Sequence, residues 1–305
     1  MGIAFLFPGQ GSQYVGMGAD LFAEFLAARR TYEDADALLG WPVTSMSFAG
    51  PAETLNDTRY TQPAVFVHSM AVFEILRQHG IRPDVVAGHS LGEYAALCAS
   101  GALEFGAALR LVAARAAAMA DVASRKPGTM AAVVGLDERT VEKSVEGLRD
   151  VVVANYNAPD QVVISGAEEA VRNAGTALSE WGAKRIVPLK VSGAFHSPLM
   201  AEAARVFADA LEREEISTPG IPVIPNVTAR RTTDPEEIRS LLVEQITSPV
   251  RWTDTVRALA SSGSATCFEV GPGRVLQGLV RRIAPSITTT TVGTTAEIRA
   301  LLKTQ

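Results

Sequence analysis

A serine stands between two glycines in the segment Gly88-His89-Ser90-Leu91-Gly92, which has the spacing of a nucleophile elbow. Small apolar residues precede this segment and a helix-forming run follows it, so the pattern predicts a buried strand, a tight turn and a helix. Such a turn exposes the Oγ atom of Ser90 and directs the amide of Leu91 at whatever oxygen lies beside it. The local sequence leaves one alternative open, a helix-capping serine with glycines nearby.

A serine hydroxyl needs a base to remove its proton, and the chain offers four histidines for that role. His196 follows glycine and serine residues in a predicted loop and is the best candidate. His68 and His79 fall on a predicted helix and are expected to be structural, whereas His89 should point away from Ser90 around the turn. No acidic residue stands out as a third member, so we expect a dyad whose imidazole is oriented by an amide carbonyl.

A basic residue, Arg115, lies on the apolar side of a helix predicted over residues 104–122. A guanidinium buried in this way must meet an acidic partner, carbonyl groups or a ligand anion, because an unpaired buried charge is costly. Two interpretations remain open. Arg115 could pair with a core carboxylate such as Glu93, or it could bind a carboxylate on the acyl group, which would select a dicarboxylic acyl unit.

The glycine-rich loop after the first predicted strand, residues 3–7, could supply a second oxyanion donor near Gln10. A phosphate-binding loop is the alternative for this segment. The dinucleotide fingerprint and the Gly-Lys-Ser/Thr sequence that such loops need are both missing, which argues against nucleotide binding.

The order of predicted elements defines the fold that must position these residues. Strands alternating with helices predict a mainly parallel sheet covered on both faces, but residues 127–190 follow the order β-α-β-β-α-β of a ferredoxin-like unit. We therefore expect an α/β fold with a large discontinuous domain, residues 1–126 and 191–305, and an inserted small domain. Residues 157–160 are predicted to form a turn, and residues 221–227 a strand.

The composition excludes several other classes of protein. The chain has 305 residues, of which 47% are hydrophobic and 20% charged, as in a globular enzyme. Its net charge of −5 argues against general nucleic-acid binding, and no Cys/His cluster has metal-ligand spacing. Cys98 and Cys267 are expected to be buried thiols, which suggests a reducing compartment. The apolar N-terminus is too short for a signal sequence or a membrane span, so a cytoplasmic location without membrane contact is expected.

Five motifs in this order make the chain resemble the malonyl-CoA:acyl-carrier-protein transacylases, and the related acyltransferases of polyketide synthases, over essentially its whole length. The motifs are Phe7-Pro8-Gly9-Gln10-Gly11-Ser12-Gln13, Thr61-Gln62-Pro63-Ala64, Gly88-His89-Ser90-Leu91-Gly92-Glu93, Gly193-Ala194-Phe195-His196-Ser197 and Gln245-Ile246-Thr247-Ser248-Pro249-Val250. The resemblance implies an α/β-hydrolase-like large domain with a ferredoxin-like insert, in agreement with the predicted order of elements.

The resemblance also implies roles for the residues that would perform the chemistry. Ser90 would carry the acyl ester, and His196 would be its base. The carbonyl of Gln245 would orient that histidine, which would explain the missing acid. Gln10 and Leu91 would supply the amides that bind the oxyanion.

A second set of residues would select the acyl group. Arg115 would bind the free carboxylate of malonyl, and Gln62 and Asn157 would line the cleft between the two domains. Met119 lies on the same predicted helix face as Arg115 and is counted with these substrate-binding residues. Phe195 precedes the expected base, where family members that take malonyl usually carry Phe and those that take methylmalonyl usually carry Ser, so the resemblance favours malonyl.

The implied reaction is a ping-pong transfer with no bound cofactor. Malonyl would pass from malonyl-CoA, a coenzyme A thioester, to the serine, and then to the phosphopantetheine thiol of an acyl carrier protein, for fatty acid or polyketide synthesis. Lys184, Arg185 and Lys190 could dock an acidic carrier protein, or they could be solvated surface charges. A monomer is expected. The alternatives are a hydrolase that clears acyl groups from carrier proteins and a non-catalytic docking module.

Overall fold

Nine strands form two separate sheets in the computed structural model, which describes residues 2–303 of the chain. The strands are β1 (Gly2–Phe7), β2 (Val85–Gly88), β3 (Thr129–Val134), β4 (Val151–Ala158), β5 (Gln161–Gly166), β6 (Arg185–Pro188), β7 (Val223–Ile224), β8 (Ser264–Val270) and β9 (Thr288–Val292). The helices are α1 (Ala19–Glu24), α2 (Leu26–Leu39), α3 (Val43–Ala49), α4 (Ala52–Leu55), α5 (Thr58–Gln78), α6 (Gly92–Ser100), α7 (Phe105–Arg125), α8 (Glu138–Val145), α9 (Glu168–Glu180), α10 (Ala201–Leu211), α11 (Pro235–Glu244), α12 (Trp252–Ser261), α13 (Val275–Ile283) and α14 (Thr295–Leu302), and a 3₁₀ helix covers Pro198–Met200.

The larger sheet is parallel and has the strand order β7-β2-β1-β8-β9. Successive side chains of β1 belong to different cores: Phe5 and Phe7 lie in one apolar cluster, and Ala4 and Leu6 lie in another. Because strand side chains alternate between faces, this division means that apolar residues cover both faces of the sheet. The prediction of a parallel sheet covered on both faces is confirmed.

The smaller sheet is antiparallel and has the strand order β4-β5-β3-β6. Its elements run β3-α8-β4-β5-α9-β6 along the chain, and residues of α8 and α9 share an apolar core with the strands. This is the ferredoxin-like arrangement. The predicted fold class, an α/β-hydrolase-like unit with an inserted ferredoxin-like one, is therefore confirmed.

Two local predictions were wrong. Asn157 and Ala158 belong to β4 and not to a turn. Two register shifts in the pairing of β4 with β5 let the ladder continue until Ala158 pairs with Gln161. The strand expected over 221–227 is reduced to Val223–Ile224. Pro222 and Pro225 flank it, and proline has no N–H to donate to a neighbouring strand.

The elbow between β2 and α6 depends on the absence of side chains at its two glycines. A Cβ atom on Gly88 would lie 2.0 Å from the carbonyl carbon of Gly92, and one on Gly92 would lie 2.1 Å from the carbonyl oxygen of Phe7. Both contacts are with backbone atoms, which cannot move aside without displacing β1 or the turn. The close approach of α6 to β1 therefore requires glycine at these positions.

We predict that Gly92→Ala lowers the free energy of unfolding by about 3 kcal/mol or more, because the added methyl overlaps the backbone of β1. Gly278→Ala is the matched control, since Gly278 lies in a helix and a Cβ atom there meets nothing within 4 Å. The control should be neutral or stabilising by about 0.5–1 kcal/mol. Urea denaturation measures both effects, and equal stability of the two variants would contradict the tight elbow.

Candidate active site

Three strands of the parallel sheet end at one edge, and each is followed by a residue of the site. Gln10 follows β1, Ser90 follows β2 and Asn226 follows β7. The carboxyl edge of a parallel sheet is where loops from neighbouring strands meet. The topology therefore brings together residues that are far apart in the sequence.

Ser90 occupies the tip of the elbow. Its backbone φ is 51°, in the left-handed region that residues other than glycine seldom adopt. Asn226 holds the turn in this conformation. Its Oδ1 accepts a hydrogen bond from the Ser90 amide at 2.6 Å, and its Nδ2 donates to the Gly88 carbonyl at 2.6 Å. The strain at the nucleophile is thus supported by a buried side chain from the edge of the sheet.

The imidazole of His196 lies between the nucleophile and a main-chain carbonyl. Its Nε2 is 2.8 Å from the Ser90 Oγ, and its Nδ1 is 2.8 Å from the backbone oxygen of Gln245. A carbonyl oxygen can only accept, so Nδ1 carries the proton and Nε2 is free to take the proton of the serine hydroxyl. This geometry suits general-base activation of Ser90.

The surroundings of His196 favour its neutral form. Burial lowers the pKa of the imidazole to about 3, and the nearby positive charge of Arg115 adds to the effect. A neutral imidazole is the form that can accept a proton. The base is therefore ready over the whole neutral range of pH.

Arg115 is only 1% exposed and reaches the nucleophile directly. Its Nη1 donates to the Gln62 Oε1 at 2.6 Å, and its Nη2 donates to the Ser90 Oγ and to the Gln245 Oε1, each at 3.0 Å. Its Nε has no hydrogen-bond partner within residues 2–303. No hydrogen bond joins Arg115 to Glu93 in that range, so the interpretation as a direct ion pair between the two is wrong: the amide of Gln245 lies between them.

Two residues of the cleft have backbone amides without a hydrogen-bond acceptor in the described part of the chain. Gln10 and Leu91 line the same cavity as Ser90. Among the described residues, no group accepts a hydrogen bond from either amide N–H. The side chain of Gln10 is held by a hydrogen bond from its Nε2 to the Thr58 Oγ1 at 3.0 Å. Free N–H groups beside a nucleophile can stabilise negative charge that develops on an acyl oxygen.

The cleft has a volume of about 540 Å³ and lies between the loops of the parallel sheet and the strands of the antiparallel one. The residues expected from the sequence that line it are Gln10, Gln62, Ser90, Leu91, Arg115, Met119, Asn157, Lys190, Phe195 and His196. Gln245 is fully buried behind Arg115 and His196 and does not line the cleft. Lys184 and Arg185 are exposed at the other end of β6 and do not line it either.

Two of the remaining histidines have structural contacts. The Nε2 of His89 is 2.8 Å from the Asn157 Oδ1, and its ring packs against Trp252 with centroids 5.4 Å apart. The side chain therefore points from the elbow toward the smaller sheet. His68 is fully buried with its Nε2 3.0 Å from the Gly293 carbonyl, and burial lowers its pKa to about 4.

Sequence reasoning missed Asn226 and considered Glu93 only as a partner for Arg115. The Oε2 of Glu93 accepts from the Asn226 backbone amide and from the Gln245 Nε2, each at 2.9 Å. Burial raises the pKa of this carboxyl to about 7, while its hydrogen bonds and the charge of Arg115 act in the opposite direction. The proline before Asn226 was the one available signal, because it marks a strand end at the active edge of the sheet.

Residues 2–303 contain neither a candidate membrane span nor a candidate metal site. No helix there is long and apolar enough to cross a bilayer, and no group of three or more His, Cys, Asp or Glu side chains is arranged to hold a metal ion. Cys98 and Cys267 are free thiols, and burial raises the pKa of Cys267 to about 12.

A nucleophilic serine on an elbow, a neutral histidine and two free amides define an enzyme that forms an acyl-serine ester. In agreement with that class, the acyl transferase domain family matches residues 4–297. The chain is 41% identical over 304 residues to the malonyl CoA-acyl carrier protein transacylase of Escherichia coli O157:H7, covering 98% of both chains.

Solved structures extend this likeness to the whole fold. The acyl-carrier-protein S-malonyltransferase of Bartonella henselae has a TM-score of 0.96 at 44% identity, with 100% of this chain and 99% of that chain covered. A malonyl-transacylase in complex with a type II polyketide synthase acyl-carrier protein has a TM-score of 0.96 at 39% identity, with 100% of both chains covered. The chain belongs to the malonyl-CoA:acyl-carrier-protein transacylase family.

The lowered pKa of His196 predicts an unusual pH profile for acylation of Ser90 by a thioester substrate. Activity is lost only as pH falls through the pKa of the base, which lies at about 3. Between pH 7.5 and 5.5, kcat/KM should change by less than about threefold, whereas an imidazole with an ordinary pKa near 6.5 would lose about tenfold.

Rapid-quench measurement of the acyl-enzyme across this pH range tests the prediction. The Glu93→Gln variant is the control, because it removes the other buried group whose pKa lies near this range. A tenfold loss with an inflection near 6.5 in both proteins would contradict the assignment.

Proposed function

We propose that this protein transfers a malonyl group from malonyl-CoA to the phosphopantetheine thiol of an acyl carrier protein, through an ester on Ser90. The observation that carries the proposal is the buried guanidinium of Arg115, whose Nη2 lies 3.0 Å from the nucleophile. A carboxylate receptor at that distance suits an acyl group with a second, free carboxylate. The names of the relatives support the same substrate and acceptor.

In the first half-reaction, the Ser90 oxygen attacks the thioester carbonyl while the Nε2 of His196 takes its proton. The amides of Leu91 and Gln10 stabilise the oxyanion of the tetrahedral intermediate, each contributing about 3 kcal/mol to the lowering of the barrier. The carbon–sulfur bond then breaks, and the imidazolium returns its proton to the departing coenzyme A thiolate. The product is a malonyl ester on Ser90.

In the second half-reaction, the phosphopantetheine thiol enters the same cleft. His196 accepts the proton of the thiol, and the sulfur attacks the ester carbonyl in the same oxyanion site. When the carbon–oxygen bond breaks, the proton passes to the Ser90 oxygen. The enzyme is regenerated with malonyl on the carrier protein, and no bound cofactor is needed for either step.

Five residues of the cleft select the acyl group in this proposal. Arg115 binds the malonyl carboxylate, and Gln62, whose Oε1 accepts from the guanidinium at 2.6 Å, holds Arg115 in place. The Nε2 of Gln62 in turn contacts the Met119 Sδ at 3.7 Å. Phe195 lines the cleft next to His196. Asn157 also lines the cleft and is hydrogen-bonded to His89, and in this proposal both residues shape the cleft for malonyl.

The carrier protein would approach from the mouth of the cleft. Lys190 lines that mouth, and its charge suits an acidic partner. In this proposal Lys184 and Arg185 extend the same basic surface away from the cleft, since both are exposed at the start of β6. The relative solved with an acyl-carrier protein supports this type of partner.

The proposal extends to the organisation of the chain. We propose domain boundaries that give a large domain of residues 1–126 and 191–305 and a small domain of residues 127–190, which the separate apolar core of the smaller sheet supports. One chain supplies the nucleophile, the base and the oxyanion amides, which supports a monomer as the working unit. Two free cysteines support a cytoplasmic location.

The decisive experiment compares transfer of malonyl to a carrier protein with its release to water. Wild-type protein charged with malonyl-CoA should pass the group to the holo-carrier much faster than it loses the group by hydrolysis. Dominant release to water would replace the transferase by a hydrolase. Absence of any acyl-enzyme would favour a docking module without catalysis.

Ser90→Ala should abolish the malonyl adduct seen by intact-protein mass spectrometry, because within residues 2–303 the hydroxyl hydrogen-bonded to the His196 Nε2 is that of Ser90. Ser124→Ala is the control, since Ser124 is exposed and its Oγ donates to the Asp121 carbonyl of its own helix. The control should load like the wild type. A malonyl adduct that persists in Ser90→Ala would refute the nucleophile assignment.

Arg115→Ala should lower kcat/KM for malonyl loading about a hundredfold, because the malonyl carboxylate loses a charged partner in a dry site. Acetyl loading should fall much less. Arg110→Ala, which removes an exposed arginine of the same helix paired with Glu214, should change neither rate. An unchanged preference for malonyl in Arg115→Ala would remove Arg115 from the acyl site.

A further inference from the structure

A buried carboxylate, Glu93, lies behind the acyl site and has no part in the reaction steps given above. It belongs to the first turn of α6, three residues after the nucleophile, and is 1% exposed. Within residues 2–303 no lysine or arginine forms an ion pair with it. A buried carboxylate is costly to keep without a cation, so its position requires an explanation.

The Oε2 of Glu93 is tied to the acyl site through one residue. It accepts a hydrogen bond from the Gln245 Nε2 at 2.9 Å, and the same Nε2 donates to the Ser90 carbonyl at 3.1 Å. The other end of that amide, Oε1, accepts from the Arg115 Nη2 at 3.0 Å. One amide thus connects the carboxylate to the guanidinium.

The orientation of the Gln245 amide follows from what its neighbours can do. A guanidinium can only donate, so the amide must present its oxygen to Arg115. The Ser90 carbonyl can only accept, and the Glu93 Oε2 already accepts from the Asn226 amide, so the amide presents its nitrogen to both of these oxygens. Rotating the amide by 180° would break all of these hydrogen bonds. An acceptor at the position of Glu93 therefore helps to fix the oxygen that holds Arg115.

We propose that Glu93 is a positioning residue for acyl selection, which acts through the Gln245 amide to hold the Arg115 guanidinium where a malonyl carboxylate can meet it. The inference rests on the proposed function and adds a specificity determinant behind the residues that touch the substrate. What matters at position 93 is an acceptor oxygen at the right reach. Its negative charge is secondary.

Two conservative substitutions separate reach from charge. Glu93→Gln keeps the length of the side chain and an oxygen that can accept from both the Asn226 amide and Gln245, but it removes the charge. Glu93→Asp keeps the charge but draws the carboxylate back by one methylene, out of reach of Gln245. Glu93→Met fills a similar volume without any acceptor and serves as a second test of reach.

The readout is the ratio of kcat/KM for Ser90 loading from malonyl-CoA to that from acetyl-CoA. We expect Glu93→Asp and Glu93→Met to lower this ratio about tenfold, the effect of losing one hydrogen bond in the chain to Arg115. Glu93→Gln should stay within about threefold of the wild type. In an Arg115→Ala background, Glu93→Asp should no longer change the ratio.

Glu269 provides a matched control. It is another fully buried glutamate and accepts from the backbone amides of Leu276 and Gln277 at 2.9 and 2.7 Å, with none of its hydrogen bonds made to Arg115 or Gln245. Glu269→Asp should lower the melting temperature without changing the malonyl-to-acetyl ratio. It shows what a purely structural defect does to the two rates.

Each outcome decides the matter. Wild-type protein that does not load malonyl in preference to acetyl refutes the proposed function before any variant is compared. With that preference established, the inference is overturned if Glu93→Asp and Glu93→Met lower both rates in parallel. A fall in the ratio for Glu93→Gln alone would overturn it in favour of a charge effect. Whichever of the Asp and Met variants folds is used, and if neither folds the residue is structural and the proposal is rejected.

Discussion

The guanidinium of Arg115 is buried beside the Ser90 hydroxyl with no carboxylate in hydrogen-bonding contact among the described residues. The amide oxygens of Gln62 and Gln245 offset part of the cost of burying this charge, but its Nε keeps no partner in residues 2–303. The protein thus holds a cation that neutral dipoles compensate only in part. A carboxylate on an incoming acyl group would complete the compensation. The uncompensated charge of the free site would therefore itself favour an acyl group with a carboxylate over an uncharged one.

The same charge also acts on Ser90 and His196, the two groups that perform the chemistry in the proposed function. Nη2 of Arg115 donates to the Ser90 Oγ, which favours a developing negative charge on that oxygen. The guanidinium is also the second cause, after burial, of the low pKa of His196. In the proposed reaction, a bound malonyl carboxylate neutralises this charge and removes that cause, which leaves burial as the main one. The base would then be stronger with the correct acyl group in place than with an uncharged one.

Local patterns in the sequence were enough to predict the sheet and the elbow, because each depends on neighbours along the chain. The apolar run of β1 and the glycines around Ser90 are such patterns. Asn226 could not be predicted from local patterns because its contact with the elbow depends on the order of strands in the sheet. β7 lies beside β2, so a residue that follows β7 contacts the turn that follows β2. The proline before Asn226 marks the end of the strand, but the sequence of a two-residue strand does not show which neighbouring strand it pairs with.

Gln245 shows a different limit of prediction from sequence. Its motif identifies the residue but does not show which of its atoms contacts which neighbour. Its backbone carbonyl orients His196, while its side-chain amide separates Glu93 from Arg115. Helix periodicity predicts that Arg115 lies on an interior face, but it does not show which buried polar group it contacts. A direct bidentate pair between Glu93 and Arg115 would have been a simpler way to bury both charges. It would also have occupied the guanidinium, whereas the proposed function requires Arg115 to remain able to bind a carboxylate beside Ser90.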